Sequence, residues 1–117
     1  MIEELVSHVF AMRNAAHLAH FSTKSYAEHK ALGKFYGDLI GKIDTIVEAY
    51  QGYYGLIGEV RIMMMPKDKM ADLVRTELGW IQQNREKIAK KNTMIENLID
   101  DLMQSYSSTH YKLVNLK

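Results

Sequence analysis

The sequence predicts an all-α protein, a four-helix bundle in which a long connection separates the second helix from the third. Three observations carry that prediction. One proline stands in 117 residues, and the apolar residues recur at three- and four-residue spacing over four long stretches, the helical period. Hydroxyl or acidic residues stand ahead of three of those stretches in capping positions. Between the second and third stretches, Gly52 to Pro66 loses the period altogether.

The first helix is predicted from Ile2 to about Phe21, with Leu5, Val6, Val9, Phe10, Met12, Ala16 and Ala19 continuing its apolar pattern. Glu3 and Glu4 suit its positive N-terminal end. Ser22 to Ser25 form a short turn, and Ser25 with Glu28 has capping-box spacing. So short a link makes the first two helices antiparallel. The second helix is predicted from Tyr26 to Gln51, stopped by Gly52, Gly55 and Gly58, with Leu32, Phe35, Leu39, Ile43, Ile46 and Tyr50 as its buried stripe.

The connector that follows reads as extended and apolar from Glu59 to Met65. About 14 extended residues reach some 45 Å, the length of the bundle, and let the third helix run parallel to the second. Asp68 is the expected cap of the third helix, whose stripe is Met70, Leu73, Val74, Leu78, Ile81 and Ile88. Thr93 and Glu96 form the expected capping box of the fourth, which buries Met94, Ile95, Leu98, Ile99, Leu102, Met103 and Tyr106. A tight pair, a long crossover and a second tight pair is ferritin-like connectivity, in which metal sites form from facing carboxylates and histidines.

Composition narrows the function classes. With 47% apolar and 25% charged residues, residues 1–117 read as one soluble globular domain. The absence of cysteine excludes disulfides, thiolate metal sites and thiol nucleophiles, and suits a reducing compartment. A formal charge of +1 disfavours a sequence-independent hold on nucleic acid. No apolar run approaches the roughly 20 residues of a membrane span, and the N-terminus reads as an amphipathic helix, so a cytoplasmic protein is expected.

Four metal-capable side chains remain: His20, His29, Asp44 and Glu48. His29 and Asp44 lie about 22 Å apart along one helix, so one chain cannot bring them to one metal. Asp44 and Glu48, one turn apart, make one half-site, and His20 with His29 across the turn makes the other. Antiparallel pairing of two copies of the second helix sets the histidines of one against the acids of the other. Gly33, Gly37 and Gly41 lie on the same roughly 120° stripe. Together they cost about 3 kcal/mol of helix stability relative to alanine, a cost that close approach at a dimer interface offsets. His17 shares a face with His20 and is a possible extra ligand. Imidazole and carboxylate donors suit Fe, Mn or Zn.

The run His20-Phe21, His29, Asp44, Glu48 resembles the motif of Dps, the mini-ferritins, over residues 10 to 52. That resemblance implies a homodimer or higher homo-oligomer with an intersubunit ferroxidase site for Fe(II), His20 and His29 from one chain and Asp44 and Glu48 from the other. This sequence departs from the family in the shorter spacing of its histidines, in Phe21 where members carry tryptophan, and in lacking a lysine-rich N-terminal tail. The chain is also similar to small uncharacterised proteins of T4-like tailed phages, which implies no particular activity.

The alternative is a non-catalytic homodimeric bundle that acts through protein–protein interaction, with the four residues hydrogen-bonded across the interface. His8, His110 and Met63 to Met65 read as surface or packing residues, and Trp80, Tyr50, Tyr53 and Tyr54 as core and interface filling. Lys87, Lys90 and Lys91 read as complements to the third helix dipole.

Overall fold

The computed structural model describes residues 1–116. Among them the chain forms four helices and no strand: α1 (Ile2–Ser22), α2 (Tyr26–Tyr54), α3 (Met70–Ala89) and α4 (Thr93–Asn115). The 29 residues of α2, at about 1.5 Å each, run the full 44 Å of the longest dimension. No helix among the described residues is long and apolar enough to cross a membrane.

α1 packs against α2 and α3, and α4 against the same two. Side-chain contacts give the directions. His20 meets His29 and Arg13 meets Tyr36, so α1 and α2 are antiparallel. Lys42 meets Ser105 and Tyr53 meets Met94, so α2 and α4 are antiparallel too. Lys90, at the end of α3, reaches Tyr50 and Tyr54 at the end of α2. α2 and α3 therefore run parallel and lie across a diagonal, as the long connection demands. Between α3 and α4, Arg85 forks onto both carboxylate oxygens of Asp100, at 2.6 and 2.8 Å, and also reaches Glu96.

The crossover, residues 55–69, has neither helix nor strand to absorb its backbone groups. It borrows partners from its neighbours. The Gly58 N–H donates to the Glu3 carboxylate at 2.8 Å, the Ser7 hydroxyl donates to the Arg61 carbonyl, and the Ile57 N–H donates to the Gln51 side chain at 3.1 Å. Glu3 and then Ser7 meet successive parts of the crossover, so it runs alongside α1 and in the same direction. Ile57, Val60 and Met65 pack on the core as it passes.

The helix ends follow expected chemistry with three shifts. Ser25 caps α2 as predicted, its hydroxyl accepting from the Glu28 N–H. α2 runs past the predicted stop at Gln51 because Gly52 fits within a helix; Gly55, at φ 90°, is the glycine that ends it. Asp68 lies one residue too early to cap α3 and instead accepts from the Lys69 N–H, leaving Lys69 at the cap position without a side-chain bond. Asn92, not Thr93, caps α4 by accepting from the Ile95 N–H, and Glu96 turns to Arg85 instead. The turn before it holds Lys90 and Lys91 at φ 53° and 60°. Left-handed backbone at residues other than glycine costs about 1 kcal/mol each.

The core is built from the predicted stripes: Leu5, Val9 and Met12 of α1, Leu32, Phe35 and Leu39 of α2, Ile81 and Ile88 of α3, and Ile95, Ile99 and Leu102 of α4 are all buried. Phe10, predicted within the first stripe, points outward and is 44% exposed, and Met94 is also exposed. Tyr106 is fully buried with its ring edge-on to Phe35, and its hydroxyl has no hydrogen-bond partner among the described residues. Burial, with a smaller contribution from the Glu77 charge, pushes the phenol far above its ordinary range.

Removing that orphaned hydroxyl lifts a desolvation penalty, so Tyr106→Phe should stabilise the fold by about 1 kcal/mol in urea denaturation. A loss of stability would mean that the hydroxyl is satisfied. The Glu3 carboxyl is held below its ordinary 4.5, chiefly by the Gly58 N–H. A carboxyl lowered in the folded state stabilises fully above its unfolded value and loses that contribution as pH falls through the folded one. Amide exchange at Gly58, corrected for intrinsic rate, should accelerate across that acidic window in the wild type and be pH-insensitive in Glu3→Gln.

Candidate functional site

α1 ends and α2 begins within a three-residue turn, and this closeness makes the His20–His29 pair. The rings stack with centroids 3.8 Å apart and planes 17° from parallel. Each Nδ1 lies against the other residue's backbone carbonyl, His20 to His29 at 2.7 Å and His29 to His20 at 2.9 Å. A carbonyl only accepts, so each Nδ1 carries the hydrogen and donates. In the neutral rings both Nε2 atoms then keep a lone pair. Metal-binding histidines are commonly oriented this way, with one ring nitrogen tied to a carbonyl and the other left as donor.

Gly33 belongs to this arrangement. A Cβ built there would lie 3.0 Å from Cε1 of His20 and 3.3 Å from its Nδ1. The missing side chain is the space that the imidazole occupies. Gly33, expected at a dimer interface, makes this contact within its own chain. Gly37 and Gly41 differ: a Cβ at either meets nothing within 4 Å. Both lie on the exposed face of α2.

Asp44 and Glu48 lie on α2 well away from the histidines, both exposed, and no hydrogen bond or ion pair engages either carboxylate among the described residues. They edge an apolar groove between α1 and α2. One part of it, about 260 Å³, is lined by Val9, Phe10, Ile40, Ile43 and Asp44. The next, about 310 Å³, is lined by Phe10, Val47, Glu48, Ile57 and Val60. His17, expected as a possible extra ligand, lies on the same side of α1 as His20. It stacks on Tyr36 with centroids 4.1 Å apart, beside Phe21, and its centroid is 6.5 Å from that of His20. Among the described residues no three His, Asp or Glu side chains converge to hold a metal.

Against this geometry, the model of the family described as "Family of unknown function (DUF5856)" matches residues 20–113. The chain belongs to this family. The DUF5856 match opens at His20 and takes in His29, Asp44, Glu48 and all three glycines of the α2 stripe. The chain is also 30% identical over 116 residues to the "Uncharacterized 14.6 kDa protein in mobD-ri intergenic region" of Enterobacteria phage T4, covering 95% of this chain and 86% of the relative. No solved structure matches the chain significantly. The T4 relative agrees with the phage resemblance. Neither match supports membership of Dps, so that likeness rests on the four-residue motif alone.

The sequence reading left His8 as a surface or packing residue and passed over Glu77. In the DUF5856 bundle they form a pin between α1 and α3: His8 Nδ1 donates to the Glu77 carboxylate at 2.7 Å, and the imidazole lies flat on Trp80 at 3.7 Å. The signal was present, an acid inside the apolar spacing Leu73, Val74, Glu77, Leu78, Ile81.

Gly33→Ala should destabilise the protein in thermal melts although alanine is the better helix former by about 1 kcal/mol. The His20 ring must move, and the histidine pair should lose its protection in imidazole NMR spectra. An unchanged pair with a raised melting point would show that the ring has room to spare.

Proposed function

We propose that the protein is a homodimeric metal-binding bundle that takes Fe(II) at sites shared between two copies. His20 and His29 of one subunit are the imidazole donors, and Asp44 and Glu48 of the partner subunit are the carboxylate donors. The observation that carries this reading is the reciprocal lock of His20 and His29, which ties both Nδ1 atoms to carbonyls and leaves both Nε2 atoms as donors. Each imidazole offers one Nε2 donor of a kind that suits iron, manganese or zinc, the stacked rings have to part for both to meet one ion, and the exposed, unpaired carboxylates supply the other half.

In this reading two α2 helices pair antiparallel about Gly37, which brings the histidine end of one level with the acidic end of the other. Iron is the substrate in this reading, and its oxidation by O₂ or peroxide is the chemistry that it brings. The chain's part is to present oriented donors and to leave coordination open. A cytoplasmic setting suits a cysteine-free chain with these donors.

One observation favours the second reading, a non-catalytic dimer. The stacked histidines satisfy each other's N–H groups and close the α1–α2 turn without a metal, and Leu18, Phe21, Tyr26 and Ile40 stand exposed on the same two helices.

A metal bound only to the folded dimer should raise the melting temperature, by about 2.7 kcal/mol of stability at a hundredfold excess over Kd. Asp44→Ala and Glu48→Ala, which disturb no contact within the chain, should remove that rise. The combination of His29→Ala with Asp44→Ala should abolish Fe(II) oxidation above the buffer rate. A wild-type dimer whose melting temperature ignores Fe(II), Mn(II) and Zn(II) alike would establish the second reading instead.

A further inference from the structure

At the end of the bundle opposite His20 and His29, the last turns of α2 and α3 bring lysines and tyrosines together. The Lys90 ammonium lies 4.5 Å from the ring centre of Tyr54 and 5.4 Å from that of Tyr50, cation–π contacts that hold it in place. Tyr53, beside Tyr54, is 55% exposed, and its hydroxyl leans on the Met94 sulfur. Lys87, in the last turn of α3 beside the exposed Glu86, and Lys91, just beyond that helix, are both exposed, and neither has an ion-pair partner among the described residues. Arg85, close by in sequence, is by contrast engaged by Asp100 and Glu96.

The turn between α3 and α4 carries two of these lysines. The turn is closed by the Lys91 N–H on the Glu86 carbonyl and the Lys90 N–H on the Lys87 carbonyl, a form of helix ending in which glycine ordinarily takes the left-handed position. Here two successive left-handed positions are both lysine. Glycine would close the same turn without strain.

We infer that this end of the bundle binds single-stranded nucleic acid. Lys87, Lys90 and Lys91 meet backbone phosphates, and the open ring of Tyr53 stacks on an unpaired base. An exposed aromatic ring beside a tyrosine that holds a lysine suits a single strand, whose bases present their faces, better than a duplex or a purely acidic peptide. The formal charge of +1 averages over the whole chain and conceals the local patch. The inference requires neither a metal nor a second copy, so it stands apart from the proposed iron site.

The test is fluorescence anisotropy of the full chain with a short labelled oligothymidylate across a salt series. Three phosphate contacts predict that log Kd rises with log salt with a slope of about 2. Changing Lys87, Lys90 and Lys91 together to glutamine should weaken binding at least about tenfold, and Tyr53→Ala at least about fivefold. Lys91→Gly separates use from structure: it should raise the melting temperature while weakening the complex. The inference is overturned if the wild type shows no salt-dependent binding, or if the triple variant binds as tightly. It is equally overturned if a duplex or polyglutamate competes as well as the single strand.

Discussion

The crossover constrains this fold more than any single helix does. A peptide segment without helix or sheet must find hydrogen-bond partners elsewhere or remain in water. Residues 55–69 solve this by lying along α1, where Glu3 and Ser7 supply side-chain partners. The segment thus returns the chain to the end where α2 began, and α3 starts there parallel to α2. The same strap covers a side of α1 that would otherwise face solvent, in keeping with the burial of Ser7 and Ala11. With α3 so placed, α4 has one vacant corner, between α2 and α3, and occupies it antiparallel to both.

The turn between α1 and α2 is the second constraint. Bringing two histidines face to face needs close helices, a short link and an open space for one ring, and the link Thr23 to Ser25 together with Gly33 supplies these. The His29 Nδ1–H satisfies the His20 carbonyl, one of the last of α1 and without a partner in its own helix, while the His20 Nδ1–H adds a second bond to the His29 carbonyl in the first turn of α2. The outward face of α2 then divides two different grooves. The one toward α1 is apolar with Asp44 on its edge, and the one toward α4 is polar, lined by Lys34, Lys42, Ser105 and Thr109 among others. Gly37 and Gly41 lie on the α4 side, in a groove shared with Thr45 and Asp101.

Much of this was legible in the sequence, because burial of an apolar stripe and the capping of a helix are local or periodic. The four helices, the turn at Ser25, the long connection and the core residues of α2 follow from those rules. The shifts came where two residues competed for one task. Asn92 and Thr93 both suit a cap, and the left-handed backbone at Lys90 and Lys91 decided between them. Phe10 has the spacing of a core residue, and only the position of α2 and the crossover shows that it walls a groove. Glu77 and His8 are distant in sequence, so their pairing waited for the packing of α3 on α1.

By itself the sequence determined the helices, their amphipathic faces and the order in which short and long connections join them, since these depend on spacing along one chain. It also determined that His29 and Asp44 are too far apart on one helix to share a metal. Only the tertiary structure decided that His20 and His29 lock each other through their backbone carbonyls, that Gly33 makes room for an imidazole, and that Lys90 lies over the tyrosines of α2. Those are contacts between residues on different helices, and their geometry depends on helix rotation and approach, which no periodicity in a single helix specifies.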